Sequence, residues 1–492
     1  MSDKQEPLLP RDVDARAFGY WPFASYNHNV VIACILSVLS PAADAVWQGT
    51  VLTTFMFLTY NGSNSMVGFA DMGRGIFTLI IALPIGWAAD RWPRKSRLIA
   101  IGGAIAPVAS GLTIYAVSHL SEGDTAGSYA VLVGGLCMWG AVYTIAKGPV
   151  QALFANSTRA GERSQFYTLK FQLNNMAAAA GRAGTIGVFA AGGDRWRLVD
   201  LRLLIYVGLG LEALSALAML GFRDSAMLPK ELPKELPRET AASTKIGPGG
   251  AAGSGARPTS SRRADGGEGS SADGGDGSSA SPPAEHPRAW AVNWILFASS
   301  VAYSVGSGAT VKYFPLFFKE DLQLSPVAVQ LIFVLMPAAN AAFSSLGLRM
   351  SRRIGRVQTM LVLRASSIVL LIVIGAFSMY LRSGRQLQAM SEWARRIVIG
   401  IVVVIYLVRS ALANCTTPIS TSISMDFVPS GQRARWSSLG SIAQACWSGS
   451  AAVGGVLADR YGYAFVFMLT AAFHAAGTIA QAALLPIVPK RE

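Results

Sequence analysis

The chain has 492 residues, 52% of them hydrophobic and 14% charged, and 42 Lys and Arg against 28 Asp and Glu give it a net charge of +14. That composition is too apolar for a water-soluble chain of this length and points to a membrane. The basic excess sits in short loops, the termini and one central segment, where anionic lipid is the simplest counter-charge, so a nucleic-acid partner is discounted.

A bilayer core of about 30 Å needs about 20 apolar residues per helix, because hydrocarbon offers no partner to an unpaired backbone group. Runs bounded by Gly, Pro and charge clusters predict spans at 29–55, 65–88, 98–119, 128–153, 166–191 and 200–222. After a break, six more follow at 290–318, 326–350, 357–381, 395–422, 436–458 and 464–486. The first 28 residues are polar and mixed in charge, so the first span is expected to insert without a cleaved leader. The short loops on the side of the N-terminus hold twelve Arg and Lys and those on the other side eight, a bias that predicts both termini in the cytoplasm.

Residues 223–288 divide the halves. A short repeat, LPKELPKELPRE at Leu228–Glu239, leads into Gly/Ser/Ala/Asp-rich sequence that cannot bury a core and is expected to be a disordered cytoplasmic linker. Residues 1–222 and 289–492 are then the two membrane units. Shifting the chain by 270 residues aligns NSTRAGERSQFYTL (Asn156–Leu169) with DFVPSGQRARWSSL (Asp426–Leu439), in the loop after the fourth span of each half. The halves therefore read as a parallel duplication, and the predicted fold is an all-α membrane protein of twelve transmembrane helices in two six-helix bundles. A second echo pairs Asp194-Arg195-Trp196 with Asp459-Arg460-Tyr461 after the fifth span of each half, where an aspartate is expected to cap a helix end.

Between the second and third spans, Gly86, Asp90, Arg91, Arg94 and Lys95 resemble the G-x-x-x-D-R-x-G-R-K loop of the major facilitator superfamily, with Pro93 in place of its Gly. The resemblance covers nearly the whole chain. It implies that Asp90 and Arg94 belong to an inner gate between the bundles, and that spans three, six, nine and twelve pack outside a central cavity lined by the rest. The fourth-span arginine motif linked to proton coupling and the fifth-span Gly-Pro signature of proton-linked exporters are not recognisable here.

Ionisable groups within hydrocarbon are costly and tend to face a cavity or a partner. Seven stand out: Asp44, Asp71, Arg74, Lys147, Arg182, Lys312 and Arg409, all on spans that the resemblance assigns to the cavity. Five are basic and two acidic, which predicts a cavity favouring an anionic or zwitterionic organic solute. Asp71 and Arg74, at i and i+3, are placed to neutralise each other. Asp44, near Trp47 and Gln48, is a candidate for proton coupling, since hydrocarbon solvates a carboxylic acid far better than a carboxylate. Arg182, among small residues, is placed either to bind a solute anion or to pair with Asp44. Gln172, Asn174, Asn340 and Asn414 are neutral polar candidates.

No cofactor is expected, beyond a possible proton coupled to transport. The four cysteines, Cys34, Cys137, Cys415 and Cys446, have no metal-ligand spacing, the four histidines are scattered, and no phosphate-binding Gly-rich loop is present, so an enzyme is not expected. The expected partners are a small-molecule solute and membrane lipid, with no nucleic acid, and the chain is expected to act as a monomer. The reading is a secondary active or facilitative transporter working by alternating access. A receptor or nutrient sensor that keeps the fold without transporting is the alternative.

Overall fold

A computed structural model describes residues 27–91, 94–120, 125–158, 163–227, 289–382, 390–427 and 433–488. In the first half, helices α1 (His28–Trp47), α2 (Thr50–Thr59), α3 (Asn64–Arg91), α4 (Lys95–His119), α5 (Thr125–Asn156), α6 (Arg163–Ala191) and α7 (Leu198–Leu220) follow one another. In the second come α8 (Ala289–Val311), α9 (Phe314–Glu320), α10 (Pro326–Ile354), α11 (Arg356–Arg382), α12 (Glu392–Asn414), α13 (Thr417–Phe427), α14 (Arg433–Tyr461) and α15 (Tyr463–Ala482). Counting α1/α2, α8/α9 and α12/α13 as single broken spans, the described residues form the twelve expected transmembrane elements.

Ten helical segments among the described residues are long and apolar enough to cross a membrane. The two that fall short are α6 and α14. Each is diluted by polar residues: Lys170, Gln172, Asn174 and Asn175 on α6, and Gln444 with a series of serines on α14. These helices cannot face lipid all round, and both pack against the opposite bundle, α6 on α10 and α14 on α3.

Local chemistry sets the helix ends. Asn27 caps α1, its side chain accepting from Asn29 N at 3.0 Å, and Ser325 caps α10 with Pro326 at the first turn. The first span breaks at Gly49, whose φ of +55° is a conformation that glycine adopts without strain. The seventh span breaks at the equivalent place, around Lys312 and Tyr313.

One end of the molecule is fixed by contacts among Asn27, Asn29, Ser157 and Arg223, with Val292 and Leu484 clustered in the second bundle; we call it the terminal end. Arg223–Met227, assigned by composition to the linker, belong to this end: Asn27 Nδ2 donates to Ala226 O at 2.5 Å, and Asp224 accepts from Ser96 N at 3.1 Å. The acid caps the start of α4, which composition alone does not reveal. Residues 228–288 lie outside the described residues.

At the opposite, far end the bundles are tied together. The Asp459 carboxylate, at the close of α14, accepts from Asn64 N and Ser65 N, both at 2.8 Å, and so caps α3 of the first bundle. Asp194, after α6, accepts from Val327 N at 2.9 Å and caps α10 of the second. The expected capping aspartates are thus present, but each caps a helix of the other bundle. Glycines let the helices meet closely here: a Cβ at Gly68 would strike Ala451 O and the Tyr313 hydroxyl.

Candidate functional site

The break after Gln48 and the break at Lys312 face each other across the bundle seam, and polar side chains run continuously between them. Lys312 Nζ donates to Asp71 Oδ1 at 2.6 Å, and Arg74 Nη2 lies 3.2 Å from the same oxygen. Arg74 Nη1 donates to Gln48 Oε1 at 3.0 Å. Gln48 Nε2 in turn donates to Asp44 Oδ1 at 2.7 Å and contacts the Tyr143 hydroxyl at 3.1 Å. Tyr143 donates to Asp44 Oδ1 at 2.6 Å and stands 3.1 Å from Glu212 Oε1. The chain Lys312, Asp71, Arg74, Gln48, Asp44, Tyr143, Glu212 therefore crosses from α8/α9 through α3, α1 and α5 to α7.

Packing holds these groups in place. Trp47 and Trp139 are fully buried with ring centroids 5.8 Å apart, and Trp139 stacks on Tyr143 at 5.8 Å, aiming the phenol at Asp44. Gly208 makes room for Trp47, because a Cβ there would collide with the indole. Asp71 is 3% exposed and its Oδ2 has no hydrogen-bond partner. Gln48, Asp71, Arg74 and Lys312 border a cavity of about 20 Å³, the size of one water.

A phenol carries a single hydrogen, so Tyr143 can serve only one of its two carboxyl neighbours at a time. The other contact is made when Glu212 brings its own proton and donates to the Tyr143 oxygen. The arrangement brings two acids to one hydroxyl.

The expected Asp71–Arg74 pair forms, but with Lys312 as a second cation on the same carboxylate. Arg182 and Asp44 form no ion pair, and Arg182 lies within electrostatic reach of Tyr406 in the opposite bundle. Lys147 is exposed on α5. Arg409 is 4% exposed, with its guanidinium 5.7 Å from the Phe314 ring and Nε without a partner. Asn414 donates to Asn340 at 3.4 Å, a weak contact. Of the gate residues, Arg94 is exposed and stands just ahead of α4 with no side-chain cap hydrogen bond, and Lys95 opens that helix; Gly86, Asp90 and Arg91 lie on the last turns of α3, and the side chains of Asp90 and Arg91 are outside the described part. Among the described residues no group of three His, Cys, Asp or Glu could hold a metal ion.

Three polar residues at these sites were not foreseen: Tyr143 and Glu212 in the chain, and Arg364 on α11, whose guanidinium lies 3.9 Å from the Tyr303 ring. Glu212 and Arg364 sit on spans six and nine, which the family pattern assigns to the outside. With Glu212 counted, the chain holds three acids against two bases, so the expected excess of positive charge does not apply to this part of the molecule.

Twelve spans in two similar bundles, broken at matching places where polar groups cross the seam, are the architecture of many membrane transporters. A family model described as Major Facilitator Superfamily matches residues 33–444, and the chain belongs to that superfamily. Its fold is shared with a bacterial homologue of the iron transporter ferroportin in an inward-facing state (TM-score 0.64, 13% identity, 92% of this chain and 98% of that one). It is shared also with a D-xylose–proton symporter (0.63, 14%, 95% and 99%) and with the nucleoside transporter NupG (0.59, 15%, 94% and 100%). No curated protein sequence matches the chain. It is an integral, multi-pass membrane protein that transports a small molecule.

Proposed function

We propose that this chain moves a small organic solute carrying negative charge across the membrane by alternating access, coupled to protons, as a monomer with both termini in the cytoplasm. The observation that carries this reading is the unbroken chain from Glu212 to Lys312, because it links a proton-sharing pair of acids to an ion pair between the bundles. Gln48 is the joint: its amide nitrogen faces Asp44 and its amide oxygen holds Arg74. A proton arriving on Asp44 removes acceptor capacity from that oxygen, lets the Gln48 amide turn and loosens Arg74 from its place beside Asp71. The Asp71–Lys312 contact then changes its balance of charge, and with it the seam. The preference for negative charge is supported by Arg182, Arg364 and Arg409, which have no acid within ion-pair distance among the described residues.

The loop residues Arg94, Arg352 and Arg353 fall at the terminal end, which supports a cytoplasmic placement of both termini. The decisive measurement is uptake of organic anions into proteoliposomes with and without a pH gradient. Gradient-driven accumulation is expected in the native chain; in Asp44→Asn accumulation is lost while exchange of solute against solute continues. If Asp44→Asn accumulates solute as the native chain does, the coupling role fails. Binding without flux in the native chain would identify a receptor instead.

A further inference from the structure

A second cavity, larger than the one at the seam, lies elsewhere. About 310 Å³ in volume, it lies inside the second bundle toward the terminal end, enclosed by α8, α11, α12/α13, α14 and α15. Its size falls at the lower edge of small-ligand pockets and would hold about ten waters. No Asp or Glu lines it.

Its one permanent charge is Arg364, eight residues into α11 and so about 12 Å along that helix. The guanidinium is clamped on two sides, with Nε donating to Thr416 Oγ1 at 3.1 Å and the plane 3.9 Å from the Tyr303 ring. Tyr303 is itself fixed by a 2.5 Å contact between its hydroxyl and Thr478. Nη1 is buried and has no hydrogen-bond partner. An arginine held rigid at this depth, with a donor left over and no acid beside it, is costly unless an anion completes it. A planar fork of donors suits a carboxylate or phosphate.

The rest of the wall says what the anion is attached to. Seven Ser and Thr residues, Ser300, Ser304 and Thr417 among them, line the cavity together with Trp447. Hydroxyls that both donate and accept match a solute bearing hydroxyls of its own. His474, 4% exposed, is held by Ser307 at 3.0 Å, so it is already engaged with the wall.

We propose that this cavity is a binding site for a hydroxylated small organic anion, of the class of a sugar acid or sugar phosphate, with Arg364 gripping the acidic group. The proposal rests on the reading of the chain as a carrier of negatively charged solutes and gives that solute a place and a chemistry.

The test is calorimetric binding of gluconate, glucose 6-phosphate, glucose and inorganic sulfate to the full-length chain in detergent, with flux measured in proteoliposomes alongside. One or both organic anions are expected to bind at least about tenfold more tightly than glucose and sulfate, and to lose that advantage in Arg364→Gln. Arg364→Lys, which keeps the charge but not the fork, should retain part of it, and guards against the Gln variant failing to fold. Equal affinity for glucose, tightest binding of bare sulfate, or unchanged binding in both Arg364 variants would overturn the site. Arg364-dependent binding with no flux would overturn the transport reading and leave the site standing; undiminished pH-driven flux in Arg364→Gln would do the reverse.

Discussion

At the scale of single residues, Asp71 is the sharpest case, for it holds Lys312 and Arg74 through one oxygen while its other oxygen is buried without a partner. Removing one member of a buried ion pair leaves an uncompensated charge, a loss of roughly 3–5 kcal/mol when burial is complete. Lys312 and Arg74 each keep 26% of the side chain exposed, so Asp71→Asn is expected to cost about 3 kcal/mol, the lower end of that range. Adding Lys312→Met to the same chain should restore more than half of the lost thermal stability in detergent, because the orphaned charge goes with it. If the double variant melts below the single one, the pair is not the unit described here. The sequence pointed to Asp71 and Arg74 because i and i+3 positions share a helix face, and to Asp44 because a lone acid in a span is rare. It hid Glu212 and Arg364 for a specific reason. Both stand in runs that carry no other charge, YVGLGLEALSALAML and LVLRASSIVLL, on spans that the family pattern places outside. The general rule that an ionisable group in hydrocarbon has a partner would have found them, had it been given more weight than the pattern.

Among whole elements, the far end depends on two helix caps exchanged between the bundles, Asp459 on α3 and Asp194 on α10. An N-cap side chain is worth about 1 kcal/mol, which is about fivefold in a two-state ratio. Asp459→Ala should therefore shift the population toward an open far end by about that factor. A cysteine placed at Thr53, 4% exposed beside the small seam cavity, reports the change as a faster reaction with a membrane-impermeant thiol reagent. Adding Asp194→Ala should raise the rate by a further fivefold or so, since caps on separate helices act independently. Identical rates in all three chains would show that the caps only set local turns. The two Asp-Arg-aromatic elements were legible as caps from sequence alone. Their exchange between bundles was not, because a cap is read from the residues just ahead of it in the chain and here the acid arrives from more than a hundred residues away. The broken spans were half legible: Gly49 marks the first break, whereas nothing of the kind marks Lys312.

For the molecule as a whole, alternating access requires that the far-end contacts exist in one arrangement and part in the other. α14 runs along α3, and α10 along α6, so opening the far end must pull both pairs apart at once. Ser65 Oγ lies 2.5 Å from Asp459 Oδ2, which places positions 65 and 459 close enough for a short cross-link between the bundles. In a Ser65→Cys/Asp459→Cys chain, a short bis-maleimide should tie the bundles shut at that end and reduce uptake to background, while each single-cysteine chain treated alike keeps its flux. The native Cys34 and Cys415 are buried and Cys137 and Cys446 half-buried within spans, so the singles also control for reaction there. Binding separates a locked carrier from a damaged one: the linked protein should still take up ligand in detergent with access from the terminal end. Full transport by the cross-linked chain would mean that the far end never opens during the cycle, and the rocking of two bundles about the Asp71–Lys312 seam would have to be abandoned.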